Sequence, residues 1–103
     1  MIKAFKMRLE YGMGELFEEQ HAKFWPEVEA EIHAYGGRNC TLFLDESTGY
    51  LFGTIEIDDE EKWAQIRDNA ICQKWWDHIA DTVKTNRDNT PVAQPLREVF
   101  HMD

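Results

Sequence analysis

The amino-acid sequence predicts an α+β fold of β-α-β-β-α-β order, the ferredoxin-like arrangement, and three observations carry it. Runs of alternating apolar and polar residues open the chain, recur as a pair in its middle and close it. Two longer stretches with apolar residues at helical spacing separate those runs. The middle pair is joined by a short turn-rich segment, which makes it a hairpin flanked by helices. At 103 residues the chain reads as one domain, 1–103, long enough to bury roughly two thirds of its unfolded surface without staples.

In order along the chain, residues 3–10 place Phe5, Met7 and Leu9 on one face and Lys6, Arg8 and Glu10 on the other, a strand broken by Gly12 and Gly14. A helix is expected from about residue 15 to 35, with Phe17, His21, Phe24, Val28, Ile32 and Tyr35 along one side and Gly36-Gly37 ending it. Pro26 lies inside that stretch, removes a backbone donor and crowds the carbonyl of Ala22, so a kink or two abutting helices is expected. Strands at about 39–45 and 50–57 flank the turn Asp45-Glu46-Ser47-Thr48-Gly49. Asp58-Asp59-Glu60-Glu61 then opens a second helical region, its carboxylates suited to a helix N-terminus. A break near Asp68-Asn69 divides this region, and the segment 70–83 carries the tandem Trp75-Trp76. Residues 85–91 are a loop by composition, and a last strand is expected at 96–101.

The strand at 50–57 has two apolar faces. Leu51, Ile55 and Ile57 share the face that helices would cover, while Tyr50 and Phe52 point the other way, with Phe43 on the strand before. Helices cover one side of such a sheet only, so the aromatic side wants a second sheet, and a homodimer is the economical reading.

Twenty acidic residues against eleven basic ones give a net charge of −9. Such a surface repels phosphate backbones and anionic membranes, which argues against nucleic-acid and membrane partners and favours a small neutral molecule. The N-terminal residues hold no apolar run that would make a signal peptide, and no stretch is apolar enough to span a bilayer. Cys40 and Cys72 form no recognised spacing pattern and read as free thiols of a cytoplasmic protein.

Two constellations stand out. His21 interrupts an otherwise apolar stripe with Phe17 and Trp25 one turn either side, and an imidazole in such surroundings is either a hydrogen-bonded core group or a general acid or base. Trp75 and Trp76 are adjacent, so they point about 100° apart and cannot share one narrow seam. If Cys72, Ile79 and Val83 set the seam, at least one indole stands at its edge, either as packing or as a flat apolar wall for a sugar ring. His33, His78 and His101 are scattered, no metal-binding spacing, phosphate loop or dinucleotide fingerprint occurs, and no cofactor is expected. The acidic side of the first helical stretch, Glu18 included, reads mostly as a solvated face, and Asp88 and Asn89 are explained by turn chemistry as readily as by ligand binding.

Six segments also occur together in a familiar order. They are Lys3-Ala4-Phe5-Lys6-Met7, His21 with Trp25-Pro26-Glu27, Leu44-Asp45, Cys72-Gln73-Lys74-Trp75-Trp76, Asn86-Arg87-Asp88-Asn89-Thr90-Pro91-Val92 and Glu98-Val99-Phe100-His101-Met102. On these the chain resembles the L-rhamnose mutarotase family over essentially its whole length. The resemblance implies a ferredoxin-like protomer pairing as a dimeric α/β barrel, His21 as the acid, and Trp75 and Trp76 in contact with the sugar. Phe17 and Cys40 stand at two sugar-contacting positions where the family has tyrosines, so both lack the hydroxyl. Anomer interconversion needs an acid for the ring oxygen and a base for the anomeric hydroxyl proton, each contributing about 10²–10⁴-fold, and no metal or covalent intermediate. An acid in the histidine range would make exchange decline as pH climbs past its pKa. The rival readings are a mutarotase for another neutral sugar such as L-fucose, a non-catalytic sugar-binding module, and, by fold analogy alone, a small monooxygenase or haem-degrading enzyme.

Overall fold

Residues 1–103 are all described by a computed structural model. Strand β1 (Ile2–Arg8) leads into two helices, α1 (Gly14–Ala22) and α2 (Pro26–Ala34). Strands β2 (Gly37–Asp45) and β3 (Tyr50–Ile57) follow, then α3 (Glu60–Ala64), a 3-10 turn (Gln65–Asp68), α4 (Ala70–Ile79) and β4 (Gln94–Leu96). The sheet order is β2-β3-β1-β4, with every neighbouring pair antiparallel. No helix is long and apolar enough to cross a membrane.

The break at Pro26 resolves into two helices. Trp25 is extended (φ −71°, ψ 125°), as the residue before a proline prefers, and Pro26 opens α2 where its missing N–H has no intrahelical partner to lose. The apolar stripe survives the break: Phe17 and Val28 are buried, with Phe24, Ile32 and Tyr35 packed against the core. Gly36, at φ +85°, ends α2 by turning the chain into the left-handed region and towards β2.

Both later helical starts are capped by side chains. Asp59 accepts hydrogen bonds from the backbone N–H of Glu61 (2.8 Å) and Lys62 (3.3 Å) at the start of α3. Asn69 does the same for Ile71 (3.0 Å) and Cys72 (2.9 Å) at the start of α4. Its amide also donates to Glu31 of α2 at 3.0 Å, tying the two helices together. The expected break near Asp68-Asn69 is therefore a cap.

Burial alternates along β3: Leu51, Gly53, Ile55 and Ile57 face the helices and are buried, while Phe52 on the other side is 38% exposed. Register continues both faces across the sheet, with Met7 and Leu44 opposite Leu51, and Phe43 and Lys6 opposite Phe52. At Gly53 the sheet leaves no room for a side chain, because a Cβ there would run into the Phe5 ring and stand 2.8 Å from a Leu42 methyl. Gly53→Ala is accordingly expected to destabilise the fold by about 1–3 kcal/mol, the usual cost of overpacking, measured by denaturant titration. An unchanged midpoint would mean that Phe5 moves aside freely.

The last strand is shorter and earlier than the sequence predicts. It pairs Gln94, Pro95 and Leu96 with Lys6, Phe5 and Ala4 instead of running over 96–101. Continued in that register it would set Arg97 opposite Lys3, a like-charge pair, and carry Val99 onward past the start of β1 at Ile2. Val99 and Phe100 (each 79% exposed) and Met102 (78%) therefore project beyond the sheet.

Candidate active site

His21 sits in the last turn of α1, where the helix carries it towards the sheet. Its Nδ1 is 2.9 Å from the Phe17 carbonyl oxygen one turn earlier, so Nδ1–H donates there and the ring orientation is set by backbone. Three aromatic rings hold the imidazole: Phe17 at 4.1 Å between centroids, Trp75 edge-on at 5.2 Å, and Phe24 nearly parallel at 6.2 Å. Burial among them pushes the His21 pKa below the ordinary histidine value, and the hydrogen bond to Phe17, which favours the imidazolium, opposes that only in part. Nε2 has no hydrogen-bond partner in the chain, yet no buried side-chain nitrogen or oxygen is left unpaired, so Nε2 is accessible, on a side chain that lines a cleft.

That cleft, about 320 Å³, lies between α1 and the helix-facing side of the sheet. Phe17, Glu18 and His21 line it from the helix, Leu42, Leu44 and Leu51 from the strands, and Glu46 from the turn between β2 and β3. Its volume is at the small end of the roughly 300–1,000 Å³ typical of small-molecule sites. It adjoins a larger, more polar depression of about 670 Å³ that shares Gly14, Glu18, Leu44 and Glu46 and adds Arg8, Ser47 and Lys84. An apolar floor with one half-buried imidazole suits a neutral ligand whose proton is to be moved.

Among the residues singled out in the sequence, Phe17 and His21 meet in the cleft, and Trp75 packs directly behind His21. Trp75 is 4% exposed and also touches Phe24, Trp25 and His78, so it belongs to the core. Trp76 is half-buried at the edge of that core and does not line the cleft of the single chain. Cys40 does not line it either. It lies two residues before Leu42 on β2, beside the irregularity between Arg38 and Thr41, with its thiol pKa pushed up by burial although the residue keeps an exposed surface. Sequence reasoning missed Leu42, Leu44 and Glu46, and set Glu18 aside as solvated. Alternation about Phe43 marks the two leucines as helix-facing, but nothing local signals that they face His21.

Asp88 and Asn89 serve the loop. Asp88 accepts from the Thr90 hydroxyl (2.6 Å) and N–H (3.0 Å), bonds that hold its carboxyl below the usual range, and Asn89 donates to Asp77 of α4 at 3.1 Å. Cys40 and Cys72 are both free thiols. No group of three His, Cys, Asp or Glu side chains converges where a metal ion could be held.

Comparison with known proteins covers nearly the whole chain. The family model described as L-rhamnose mutarotase matches residues 3–102. A protein named L-rhamnose mutarotase in Lachnoclostridium phytofermentans is 50% identical over 101 residues, 98% of this chain and 97% of that one. Namesakes in Oceanobacillus iheyensis and Yersinia pestis are 45% and 41% identical over the same shares of both chains. The crystal structure of L-rhamnose mutarotase from Formosa agariphila superposes with a TM-score of 0.92 at 36% identity, covering 100% of this chain and 99% of that one.

Proposed function

We propose that this chain, which belongs to the L-rhamnose mutarotase family, is the isomerase that interconverts the α and β anomers of L-rhamnopyranose by acid–base ring opening and closure. The observation that carries the chemistry is His21: a single imidazole, fixed by the Phe17 carbonyl and walled by aromatic rings, with an accessible Nε2 on a side chain that lines a small apolar cleft. The sugar occupies that cleft, and His21 exchanges protons with the groups on its anomeric carbon. Phe17 supplies apolar surface there and Trp75 braces His21 from behind, while Cys40 and Trp76, which the family resemblance sets against the sugar, lie outside the cleft of the single chain. Sugars mutarotate unaided in water, so a modest acceleration suffices. Neither another sugar nor a non-catalytic sugar-binding role is favoured by relatives that carry the one name.

Saturation-transfer NMR on a panel of aldoses tests the assignment, because it reads anomer exchange directly. Exchange of L-rhamnose is expected to accelerate most, and to do so undiminished in EDTA, since the site chemistry needs no metal and no cofactor. Binding without accelerated exchange would reduce the protein to a sugar-binding module, and EDTA inactivation reversed by zinc would overturn the metal-free reading.

The protomer pairs with a second copy, sheet to sheet, as a dimeric α/β barrel. The side of the sheet that the helices leave open supports this: Phe43 is 62% exposed opposite Phe52, and Tyr50 lies beside them under Lys6 and Arg8. The apolar tail residues Val99, Phe100 and Met102 add further uncovered surface. Light scattering at micromolar concentration should return twice the chain mass, and a single-chain mass would defeat the pairing. Two free cysteines support a cytoplasmic location.

A further inference from the structure

The base that partners His21 could be a carboxylate of the cleft, Glu18 or Glu46, but the geometry of the imidazole supplies another answer. Nδ1–H is committed to the Phe17 carbonyl at 2.9 Å, which leaves the neutral ring with a bare lone pair on Nε2, an accessible nitrogen on a side chain that lines the cleft. In that tautomer His21 can accept a proton before it has one to give. We propose that His21 is both halves of the acid–base pair, its Nε2 first taking the proton of the anomeric hydroxyl and then delivering that same proton to the ring oxygen. This rests on the mutarotase reading and extends it by removing the need for a separate base.

The step balances. Nε2 accepts the proton from the hydroxyl on C1, the oxygen so released forms the C1 carbonyl, and the bond from C1 to the ring oxygen breaks with its electron pair going to that oxygen. The imidazolium then returns the proton to the ring oxygen, leaving the open-chain aldehyde and neutral His21. Rotation about the bond between C1 and C2, followed by the reverse sequence, closes the other anomer. Both reacting oxygens are bonded to C1, so one nitrogen reaches either without the ring turning.

The surroundings suit a transient imidazolium. Burial disfavours the charged ring at rest, while the Phe17 carbonyl stabilises it once formed, so the proton is taken up briefly and released readily. Leu42, Leu44 and Leu51 line the same cleft from the strands, and Phe24 faces the ring from the segment between the helices; none of these titrates. From α4 it meets Trp75, whose indole in turn lies 5.6 Å between centroids from His78. The only carboxylates lining the cleft are those of Glu18 on α1 and Glu46 in the turn between β2 and β3, and neither hydrogen-bonds the imidazole.

The pH profile of L-rhamnose exchange decides between a shuttle and a simple acid. Exchange is to be measured by saturation transfer from about pH 5 to about pH 9, corrected for the uncatalysed rate, on the native protein, His21→Asn and the double variant Glu18→Gln/Glu46→Gln. The shuttle predicts a level rate at neutral and alkaline pH and a decline of about tenfold per pH unit below an ionisation lying under the ordinary histidine value. The double variant should keep that limb at the same pH. A decline on the alkaline side instead would mean that His21 must start protonated, which overturns the shuttle and leaves His21 as the acid. An acid limb that disappears or moves in the double variant would assign the base to a carboxylate and overturn the shuttle too. Full exchange in His21→Asn would overturn the shuttle together with the catalytic reading beneath it. Circular dichroism at each pH separates chemistry from unfolding: a histidine whose folded pKa is depressed contributes stability above its unfolded value that is lost as pH falls.

Discussion

His21→Asn is expected to keep the fold and the cleft and to lose about 10²–10⁴-fold in anomer exchange, the usual contribution of one acid–base group. Asparagine is polar, and its amide can donate to the Phe17 carbonyl that now takes Nδ1–H at 2.9 Å, so no buried acceptor need be orphaned. It has no titrating nitrogen to present in place of Nε2. A purely structural histidine would behave in the opposite way. The melting temperature would drop, since a net hydrogen bond is worth about 1 kcal/mol and an unsatisfied partner costs more, while exchange per folded molecule stayed near normal. Exchange by saturation transfer and melting by circular dichroism, run on the same samples, separate the two.

Trp75→Ala is expected to destabilise the protein by about 3–5 kcal/mol, the range for deleting a large buried aromatic. Trp75 is 4% exposed and makes edge contacts with His21, Phe24 and Trp25 at 5.0–5.2 Å. Against a total stability of about 5–15 kcal/mol for a domain of this kind, that loss is a large share. The folded fraction should also exchange anomers more slowly, because the ring that braces the imidazole is gone. Trp76→Ala should differ: the residue is half-buried, so its truncation costs less stability and shows instead in sugar affinity. Equal melting losses in the two variants, with sugar binding unchanged, would reduce both tryptophans to packing.

Part of this cleft was legible in the residues themselves, namely Phe17 and His21. The stripe from Phe17 to Tyr35 placed His21 among apolar neighbours, and Pro26 announced the division that becomes α1 and α2. The argument that two adjacent indoles cannot share a seam also holds, with Trp75 on the buried line of Cys72 and Ile79 and Trp76 at its edge. Which of the two was inside could not be read locally. It depends on how α4 rolls against α2 and the sheet, and the Asn69 amide that bonds Glu31 helps to set that roll. The last strand was misplaced for a related reason. Alternation over 96–101 is real, but a strand exists only where a partner strand runs beside it, and β1 pairs with 94–96.

The sequence by itself determined the element order, the helix breaks, the two-sided character of the sheet and the family to which the chain belongs. These follow from propensities, caps and periodicities that act between residues a few positions apart. Tertiary structure alone decided the state of His21. Burial against Phe24 and Trp75 lowers its pKa, and the Phe17 carbonyl takes its Nδ1–H. Tertiary structure also built the cleft, bringing Leu42, Leu44 and Glu46 to α1 across the sheet. The physical reason is the same in each case: desolvation, register and concavity arise only when segments distant in sequence exclude water from one another, and no local pattern encodes which segments those are.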